Sequence, residues 1–251
     1  MMTTRTSLVA PVVELRHISV YHTREPFRRP TNKYRGDLIL SEVSLTVMPG
    51  EQVYLIGRVG SGKSALMKTL YAEIPLFEGE GKVVGFDLCK LRRRDIPYLR
   101  RRIGVVFQDY QLLPDRNVFN NLYYVMRATG WKNEAEIRCK IDEVATLVGL
   151  QNKLYKMPFQ LSGGEQQRLA IARAVVNDPK VILADEPTGN LDPSAADDVM
   201  NLFHRIAENG CAIVMSTHNI SNIQQYPSRT FRFHNGKVEE IDIKQWLMVN
   251  G

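Results

Sequence analysis

The hydrophobic residues of this chain form short runs of strand length separated by turn residues. The runs that predict strands lie at residues 12–19, 39–47, 52–56, 82–86, 103–108, 181–184 and 212–216. Those at 181–184 and 212–216 are continuously apolar, which is typical of parallel strands that are buried on both faces. Asn235 and Gly236 separate two more apolar runs, and this pair is a strong signal for a β-hairpin.

Helical spacing appears between these runs. The blocks that predict helices lie at residues 64–73, 115–149 and 161–177. Within the second block, Ile137, Ile141, Val144 and Val148 recur three and four positions apart, which puts them on one buried face. Because buried strands alternate with helices, we expect an α/β fold with a helical insertion in the middle of the chain.

A glycine-rich loop between a predicted strand and a predicted helix carries the clearest chemistry. The segment from Gly57 to Ser64 fits the pattern G-x-x-x-x-G-K-[ST]. Its glycines let successive backbone N–H groups surround a polyphosphate, and the following helix adds the positive end of its dipole. We expect Lys63 to bridge the β- and γ-phosphates of a nucleotide and the Ser64 hydroxyl to bind Mg²⁺. A chance glycine turn is the alternative, and the matching flanking elements argue against it.

Two carboxylates end the apolar run at residues 181–184. Taken alone, Asp185 and Glu186 could simply cap the next helix. However, an open α/β sheet binds its ligands at the carboxyl ends of its strands, where Lys63 is also expected. We therefore expect Asp185 to hold Mg²⁺ through water and Glu186 to orient or deprotonate the attacking water.

The segment Leu-Ser-Gly-Gly-Glu at residues 161–165 is the most informative stretch. Ser162 and Glu165 have the spacing of a capping box that opens a helix. A capping box does not need Gly163 and Gly164 at its centre, and two glycines there indicate that the backbone approaches an anion closely. The anion would be the γ-phosphate of the nucleotide. Since the Lys63 loop already occupies one side of the γ-phosphate, the simplest geometry has this segment close over a nucleotide that is held by a second copy of the chain.

Three more positions are weak signals one by one. Gln108 ends the run at 103–108, and taken alone it would be interpreted as a surface glutamine. His218 follows the run at 212–216, and taken alone it would be interpreted as a histidine that is merely hydrogen-bonded to its neighbours. Asp192 and Pro193 look like the N-cap and the first residue of a helix. Their order and spacing relative to the glycine loop and the carboxylates make a chance arrangement implausible.

Composition narrows the class of protein without choosing a function. The chain has 251 residues, 44% hydrophobic and 24% charged, which are ordinary values for a globular protein. Its net charge of +6 favours an anionic partner, which could be nucleic acid, a lipid surface or a polyphosphate. Cys89, Cys139 and Cys211 lie far apart, which argues for a reducing compartment without a disulfide framework or structural zinc. No apolar run reaches the ~18 residues of a membrane span, so we expect a soluble cytoplasmic protein.

In their order and spacing, these motifs resemble the nucleotide-binding domain of an ABC-type ATPase over residues 12–241. Residues 185–192 resemble the branch that contains FtsE, LolD and MacB, and residues 97–116 most resemble the FtsE family of cell-division ATPases. The resemblance implies a RecA-like P-loop core with an antiparallel β subdomain and an inserted α-helical subdomain. The implied bounds are 12–108 and 168–241 for the core with the β subdomain, 109–167 for the helical subdomain, and 1–11 and 242–251 for the tails.

The resemblance also implies the members of the site. Nucleotide would be bound by Tyr21, Gly57, Gly60, Ser61, Gly62, Lys63, Ser64, Ala65, Ser162, Gly163, Gly164, Glu165 and Asp192. The implied catalytic residues are Glu186, His218 and Gln108, and the implied Mg²⁺ ligands are Ser64, Gln108 and Asp185. Tyr21 and His22 both fall near the position of the residue that stacks on adenine. Asp192 would link the two sites across a head-to-tail dimer.

The implied function is that of an ATP-hydrolysing subunit with ATP and Mg²⁺ as cofactors. Two copies would close around two MgATP and drive an FtsX-like membrane protein that controls cell-wall hydrolysis, with the chain on the inner face of the cell membrane. A LolD- or MacB-type exporter subunit is the alternative, since it shares the catalytic residues. A nucleic-acid-stimulated ATPase is disfavoured, because the basic runs lack interleaved aromatics and the chain lacks a zinc motif.

Two basic clusters supply much of the positive charge. Five basic residues lie at 24–35, within a predicted loop at 22–37 that is longer and more basic than is usual in the FtsE family, and seven lie at 90–102. Such clusters are often a solvated surface. We expect that one of them faces anionic lipid, where each Lys or Arg contributes ~1 kcal/mol.

Overall fold

The computed structural model describes residues 9–22 and 36–250. Its strands are β1 (Val13–His22), β2 (Asp37–Val47), β3 (Gln52–Gly57), β4 (Glu78–Val83), β5 (Phe86–Asp87), β6 (Ile103–Val106), β7 (Val181–Asp185), β8 (Ala212–Ser216), β9 (Arg229–His234) and β10 (Lys237–Ile241). Its helices are α1 (Lys63–Leu70), α2 (Ile96–Arg100), α3 (Val118–Thr129), α4 (Glu134–Leu147), α5 (Gly163–Val175), α6 (Pro193–Glu208), α7 (Ile220–Gln225) and α8 (Ile243–Asn250). Short 3₁₀ turns lie at Leu88–Lys90, Arg93–Asp95, Gln151–Lys153 and Pro158–Gln160.

The larger sheet brings the predicted chemistry to one edge. Its strand order is β10-β9-β3-β8-β7-β6, and the pairs from β9 to β6 are parallel. The apolar residues of β7 and β8 are buried on both faces, which confirms the prediction of buried parallel strands. Because β3, β6, β7 and β8 run in the same direction, Gly57, Val106, Asp185 and Ser216 end them at the same edge.

The smaller sheet is antiparallel and has the order β2-β1-β4-β5. The pairing of β1 with β2 is interrupted by irregularities, near which His17 and Glu42 adopt left-handed backbone conformations with φ of 49° and 55°. Its apolar side chains share a core with one face of the larger sheet and with α1. This sheet is the antiparallel β subdomain that the resemblance implies.

The helical insertion packs on the other face of the larger sheet. Ile137, Ile141, Val144 and Val148 are all buried in that core, as their spacing predicts. The side chains of Asn117 and Asn133 cap α3 and α4 by accepting hydrogen bonds from backbone N–H groups in the first turn of each helix. The helix α5 crosses the implied boundary at residue 167, so the insertion returns to the core inside a continuous helix.

Several elements differ from the prediction for identifiable physical reasons. The run predicted at residues 82–86 divides between β4 and β5, because Val84 and Gly85 form a turn with φ of 44° and 87°. The helices α2 and α7 have only five and six residues, too few for a periodic pattern. The implied tail at 242–251 contains α8, whose first residue Ile243 is buried in the core.

The structure bears on the predicted lipid contact and on the predicted absence of a membrane span only within the described residues. The basic cluster at 24–35 lies outside the described residues. Among the residues that the structure describes, no helix is both long enough and apolar enough to cross a lipid bilayer.

Candidate functional site

The glycine loop after β3 is shaped by backbone conformations that only glycine adopts easily. Gly57 and Gly62 have φ of 150° and 104°. A Cβ on Gly57 would lie 2.6 Å from the Phe233 carbonyl oxygen, and one on Gly62 would lie 2.7 Å from Cδ2 of Leu40. The loop is thus pressed against β9 on one side and β2 on the other, and larger residues would displace it.

The loop ends where α1 begins, at Lys63. Its N-cap, Gly62, provides no side-chain cap, so the first N–H groups of the helix remain available to a ligand. The Lys63 side chain is buried, and its Nζ donates hydrogen bonds to the carbonyl oxygens of Gly57 at 2.7 Å and Arg58 at 3.2 Å. Inside the same loop, the buried Ser61 hydroxyl has no hydrogen-bond partner among the described residues. An unpaired hydroxyl, free helix N–H groups and an ammonium group fit a phosphate.

Three oxygen-bearing side chains meet at the ends of α1, β7 and β8. The Ser64 hydroxyl donates to Oδ2 of Asp185 at 2.9 Å, and the Ser216 hydroxyl donates to Oδ1 of the same carboxylate. Hydroxyl and carboxylate oxygens are the ligands that Mg²⁺ prefers. The structure therefore brings together two of the three predicted Mg²⁺ ligands.

Glu186 follows in a backbone conformation that is unusual for its residue type. Its φ is 46°, a left-handed value that costs about 1–2 kcal/mol for a residue other than glycine. The strained turn is held by its N–H, which lies 3.2 Å from the Ser216 carbonyl oxygen and 3.0 Å from the Ser216 hydroxyl. The Glu186 carboxylate lies 3.1 Å from Nδ1 of His218, so two predicted catalytic residues are in contact.

Gln108 lies close to this pair. A Cβ on Gly189 would be 3.7 Å from Nε2 of Gln108 and 3.8 Å from Oε2 of Glu186, so the ends of both side chains lie next to that glycine. The Gln108 carbonyl oxygen accepts a hydrogen bond from Nδ2 of Asn190 at 3.3 Å. The loop after β6 and the loop after β7 are therefore joined directly.

The predicted start of α6 is confirmed. Asp192 is its N-cap, accepting a hydrogen bond from the Ala195 N–H at 3.0 Å, and Pro193 is its first residue. The Asp192 side chain is therefore already used within its own chain.

The segment at 161–165 forms the predicted capping box at the start of α5. The Glu165 N–H donates to the Ser162 hydroxyl at 3.3 Å, and the Ser162 N–H donates to the Glu165 carboxylate at 3.1 Å. Glu165 also pairs with Lys153, whose hydrogen bond is the main reason that the pKa of Glu165 is below its usual value. These side chains are engaged in the fold rather than directed at the Lys63 loop.

The two glycines of this segment have different surroundings. A Cβ on Gly164 would lie 2.9 Å from Cβ of Ala195, so this glycine lets α5 approach α6 closely. Among the described residues, a Cβ on Gly163 would meet only the Tyr110 hydroxyl at 3.6 Å and Leu191 at 3.8 Å, which are ordinary contacts. Packing within the chain therefore explains Gly164, whereas it leaves the exposed Gly163 unexplained.

The remaining predicted residues lie at the edges of the site. Tyr21 is in β1, half-buried, and its hydroxyl donates to Glu78 at 2.7 Å, while His22 is exposed at the end of the same strand. Ala65 is half-buried in the first turn of α1. Gly60 has φ of 80° and open space where a Cβ would stand.

Sequence reasoning missed residues that hold the site in place. Ser216 touches both Asp185 and Glu186, and its only sequence signal was a polar residue at the end of a buried strand. Asn190 supports the Gln108 carbonyl oxygen, a contact that depends on two loops 82 positions apart. Neither contact could be predicted from the spacing of residues along the sequence.

Comparison with known proteins decides the family. The profile of the family described as "ABC transporter" matches residues 40–189. The cell-division ATP-binding protein FtsE of Streptococcus pneumoniae is 45% identical over 221 residues, covering 88% of this chain and 94% of that protein. The chain belongs to the FtsE family of ABC transporter ATPases. FtsE of Bacillus subtilis is 42% identical over 80% of this chain and 88% of its own length, and FtsE of Escherichia coli is 40% identical over 80% and 90%.

Solved structures of other ABC ATPase cassettes share this fold. The structure of cbiO1 from Clostridium perfringens, described as part of the ABC transporter complex cbiONQ, has a TM-score of 0.81 with 26% identity, covering 95% of this chain and 91% of that one. The ATP-binding cassette MJ0796, solved as a dimer in a post-hydrolysis state bound to ADP and Pi, has a TM-score of 0.77 with 29% identity, covering 92% and 98%. The predicted ABC ATPase fold and ATP-hydrolysing activity are therefore confirmed.

Proposed function

We propose that this chain is a cytoplasmic subunit that dimerises head-to-tail around two MgATP. We further propose that it drives an FtsX-like membrane protein controlling cell-wall hydrolysis during division, from the inner face of the cell membrane. The observation that carries the dimer is the exposed Gly163 at the start of α5, beside side chains that are already engaged in their own fold. The dimeric MJ0796 cassette with ADP and Pi, and relatives named as cell-division proteins, support the same proposal.

In this proposal the Lys63 half-site binds the nucleotide first. The loop N–H groups, the unpaired Ser61 hydroxyl and the Lys63 ammonium group hold the phosphates, and Tyr21 or His22 stacks on the adenine. Lys63 exchanges its two carbonyl partners for phosphate oxygens. Ser64 and Asp185, with Gln108 beside them, would hold Mg²⁺, which neutralises phosphate charge when it is bound.

Hydrolysis then depends on the residues around Glu186. Its carboxylate accepts a hydrogen bond from the attacking water and positions that water for attack on the γ-phosphate. His218, now 3.1 Å from the carboxylate, contacts the γ-phosphate, and the strained turn at Glu186 keeps the carboxylate aimed outward from β7. The Ser216 hydroxyl holds the Asp185 carboxylate and the Glu186 backbone in place through its hydrogen bonds to both residues.

The second half of each site comes from the partner chain. The Gly163 N–H and the Ser162 hydroxyl of one copy close over the γ-phosphate held by Lys63 of the other. Asp192 and its loop lie between the two sites, and Asn190 of the same loop touches Gln108. Hydrolysis reopens the pair, and this opening pulls on the membrane partner.

The membrane partner is proposed to dock beside Gln108 and the helical subdomain at 109–167. Leu113 and Tyr124 are exposed there, at 38% and 43%, and the Arg116 guanidinium lies 5.5 Å from the Tyr124 ring centroid. Exposed aromatic and arginine side chains suit a protein interface. A LolD- or MacB-type exporter partner would use the same surface. Copurification of the membrane partner, followed by a test of whether ATP turnover by the complex activates cell-wall hydrolysis, separates the two.

Anionic lipid is proposed as a further contact for the basic cluster at 90–102. Arg100 donates to the carbonyl oxygens of Tyr71 and Ala72 and Arg102 to that of Val84, so these two side chains serve the fold. The proposed lipid-facing group therefore consists of the other five members of the cluster, Lys90, Arg92, Arg93, Arg94 and Arg101, which are exposed. Binding to vesicles with acidic headgroups should weaken as salt is added, and salt-independent binding would contradict this contact.

The experiment that tests the composite site measures ATP hydrolysis per chain against protein concentration. A site completed by a second chain gives a rate that rises with concentration until the dimer is saturated. A Ser162→Arg chain, which keeps its own Lys63 loop, should be inactive alone and should inhibit the wild-type chain when mixed with it. A rate per chain that is independent of concentration in a monomeric preparation would contradict the composite site.

A further inference from the structure

The helix α5 holds two regions of the site at once. It begins with the exposed Gly163, and ten positions later it carries Arg173, about 15 Å along the helix axis. The Arg173 guanidinium donates to the carbonyl oxygen of Tyr110 at 3.1 Å through Nη2, and to that of Gln111 through Nη1. These carbonyls belong to the loop that contains Gln108.

The backbone gripped by Arg173 is in an unfavourable conformation. Tyr110 and Gln111 have φ of 59° and 47°, two successive left-handed residues that are not glycine. Each such residue persists only where the surrounding structure holds it. The two carbonyl hydrogen bonds from Arg173 supply such a hold, because they act on the two strained residues themselves.

Tyr110 also reaches the other end of α5. A Cβ on Gly163 would lie 3.6 Å from the Tyr110 hydroxyl, so the tyrosine side chain ends next to the exposed glycine. Its main chain is held by Arg173 and its hydroxyl lies beside Gly163. A shift of this loop is therefore felt at both ends of the helix.

The two carbonyl hydrogen bonds are the main interactions of the Arg173 guanidinium with the described residues. It forms no ion pair with the residues that the structure describes, and burial lowers its pKa from the usual value. Arg173 is half-buried, and partial burial of an arginine without a carboxylate partner has a cost that hydrogen bonds must offset. Its two carbonyl contacts account for its place in the fold.

We propose that Arg173 is a positioning residue that couples the Gln108 loop to the start of α5. The inference rests on the proposed function, in which the membrane partner docks beside Gln108 and Gly163 completes the partner chain's site. When the partner docks and shifts the loop, the hydrogen bonds from Arg173 to the two carbonyl oxygens shift Arg173 with it. Because α5 is a continuous helix, a displacement at Arg173 also displaces Gly163. Without this connection, the Tyr110 hydroxyl still lies beside Gly163, but the two carbonyls no longer tie the loop to the helix.

The test compares Arg173→Met with a matched control, Arg205→Met. Arg205 also donates to a main-chain carbonyl oxygen across the subdomains, that of Leu147 at 3.3 Å, but it lies away from the Gln108 loop. In the isolated chain without nucleotide, Arg173→Met should raise hydrogen exchange at residues 108–112 at least tenfold and leave that of β7 unchanged. Arg205→Met should leave exchange at 108–112 unchanged.

Kinetics provide the second measurement. Arg173→Met should lower kcat about tenfold and change the Kd for ATP by less than twofold, because the Lys63 loop is intact. Arg173→Lys, which keeps a charged donor, should recover part of kcat. Equal effects from Arg205→Met, unchanged exchange at 108–112, or a loss of ATP affinity equal to the loss of kcat would overturn the proposal. The exchange measurement uses a monomer, so a failure of the composite site would not be mistaken for a failure of this coupling.

Discussion

The two halves of the proposed ATP site are built in different ways. Around Lys63, the functional side chains already touch one another: Ser64 with Asp185, and Glu186 with His218. At the start of α5, the polar side chains of Ser162 and Glu165 are satisfied within the capping box, and the backbone at Gly163 is what faces outward. The first half carries out chemistry with side chains, whereas the second can contribute mainly backbone N–H groups and a hydroxyl.

This difference predicts that the two halves tolerate different changes. The Lys63 half should depend on the identity of its charged groups, since each is proposed to act in binding or hydrolysis. The α5 half depends on the space left open beside Gly163, because a partner must approach its backbone closely. Substitution of Lys63 should therefore already change nucleotide binding by a single chain, whereas substitution of Gly163 should change only the assembled pair.

The largest effect is expected from Glu186→Gln. The amide keeps the shape of the side chain but cannot accept a proton, so turnover should fall ~10²- to 10⁴-fold while ATP still binds. The variant should accumulate as a closed dimer with ATP, measured by light scattering alongside phosphate release. The control is Glu208→Gln, which alters another Glu–His pair on the exposed end of α6, where Glu208 lies 3.5 Å from His204. Near-normal phosphate release from Glu186→Gln would remove this carboxylate from its proposed role.

Lys63→Ala should act one step earlier, on nucleotide binding by the single chain. Loss of charged hydrogen bonds worth about 1.5–3 kcal/mol predicts an ATP affinity ~10- to 100-fold weaker. Titration calorimetry at a concentration where the chain is monomeric measures it. Lys68→Ala is the control, since Lys68 lies one turn further along α1 and pairs with Glu73 on the surface at 2.9 Å. Equal affinity losses in the two variants would mean that the loop, not the Lys63 charge, determines binding.

The two glycines of α5 sharpen the comparison between the halves. Gly163→Ala should keep stability and the ATP affinity of the monomer, yet lower turnover about tenfold, because the added methyl group occupies the approach of the partner's nucleotide. Gly164→Ala should instead destabilise the chain by about 1 kcal/mol, lowering Tm by about 2–4 °C, because its Cβ would stand 2.9 Å from Cβ of Ala195. Thermal unfolding and phosphate release on the same samples separate the two effects. If both variants lost only stability, Gly163 would have no part in the partner's site.

The sequence was sufficient for the elements and motifs that follow local rules. The strands of the larger sheet, the buried face of α4, the hairpin at Asn235 and the caps at Ser162 and Asp192 all depend on neighbouring residues, and the structure confirms them. The supports of the site could not be found in this way, because Ser216, Asn190 and Arg173 act on residues that are distant in sequence. The packing reason for Gly164 was missed for the same cause, since Ala195 is 31 positions away.

The smallest effect is expected from substitution of Glu165. This substitution tests whether the side chains at the start of α5 stabilise the fold rather than bind nucleotide. The pKa of Glu165 is lowered mainly by the hydrogen bond from Lys153, so its contribution to stability is present above the unfolded pKa of about 4.3. That contribution is lost as pH falls through the lower pKa of the folded state. Glu165→Gln should therefore cost less than about 1 kcal/mol at pH 7, and the gap from wild type should shrink below about pH 4.3. Urea unfolding at pH 7 and pH 3.5 measures the gap. A variant with unchanged stability at both pH values but weaker ATP-driven dimerisation would instead place this carboxylate among the nucleotide-binding groups, and the two halves would then be more alike than the capping box indicates.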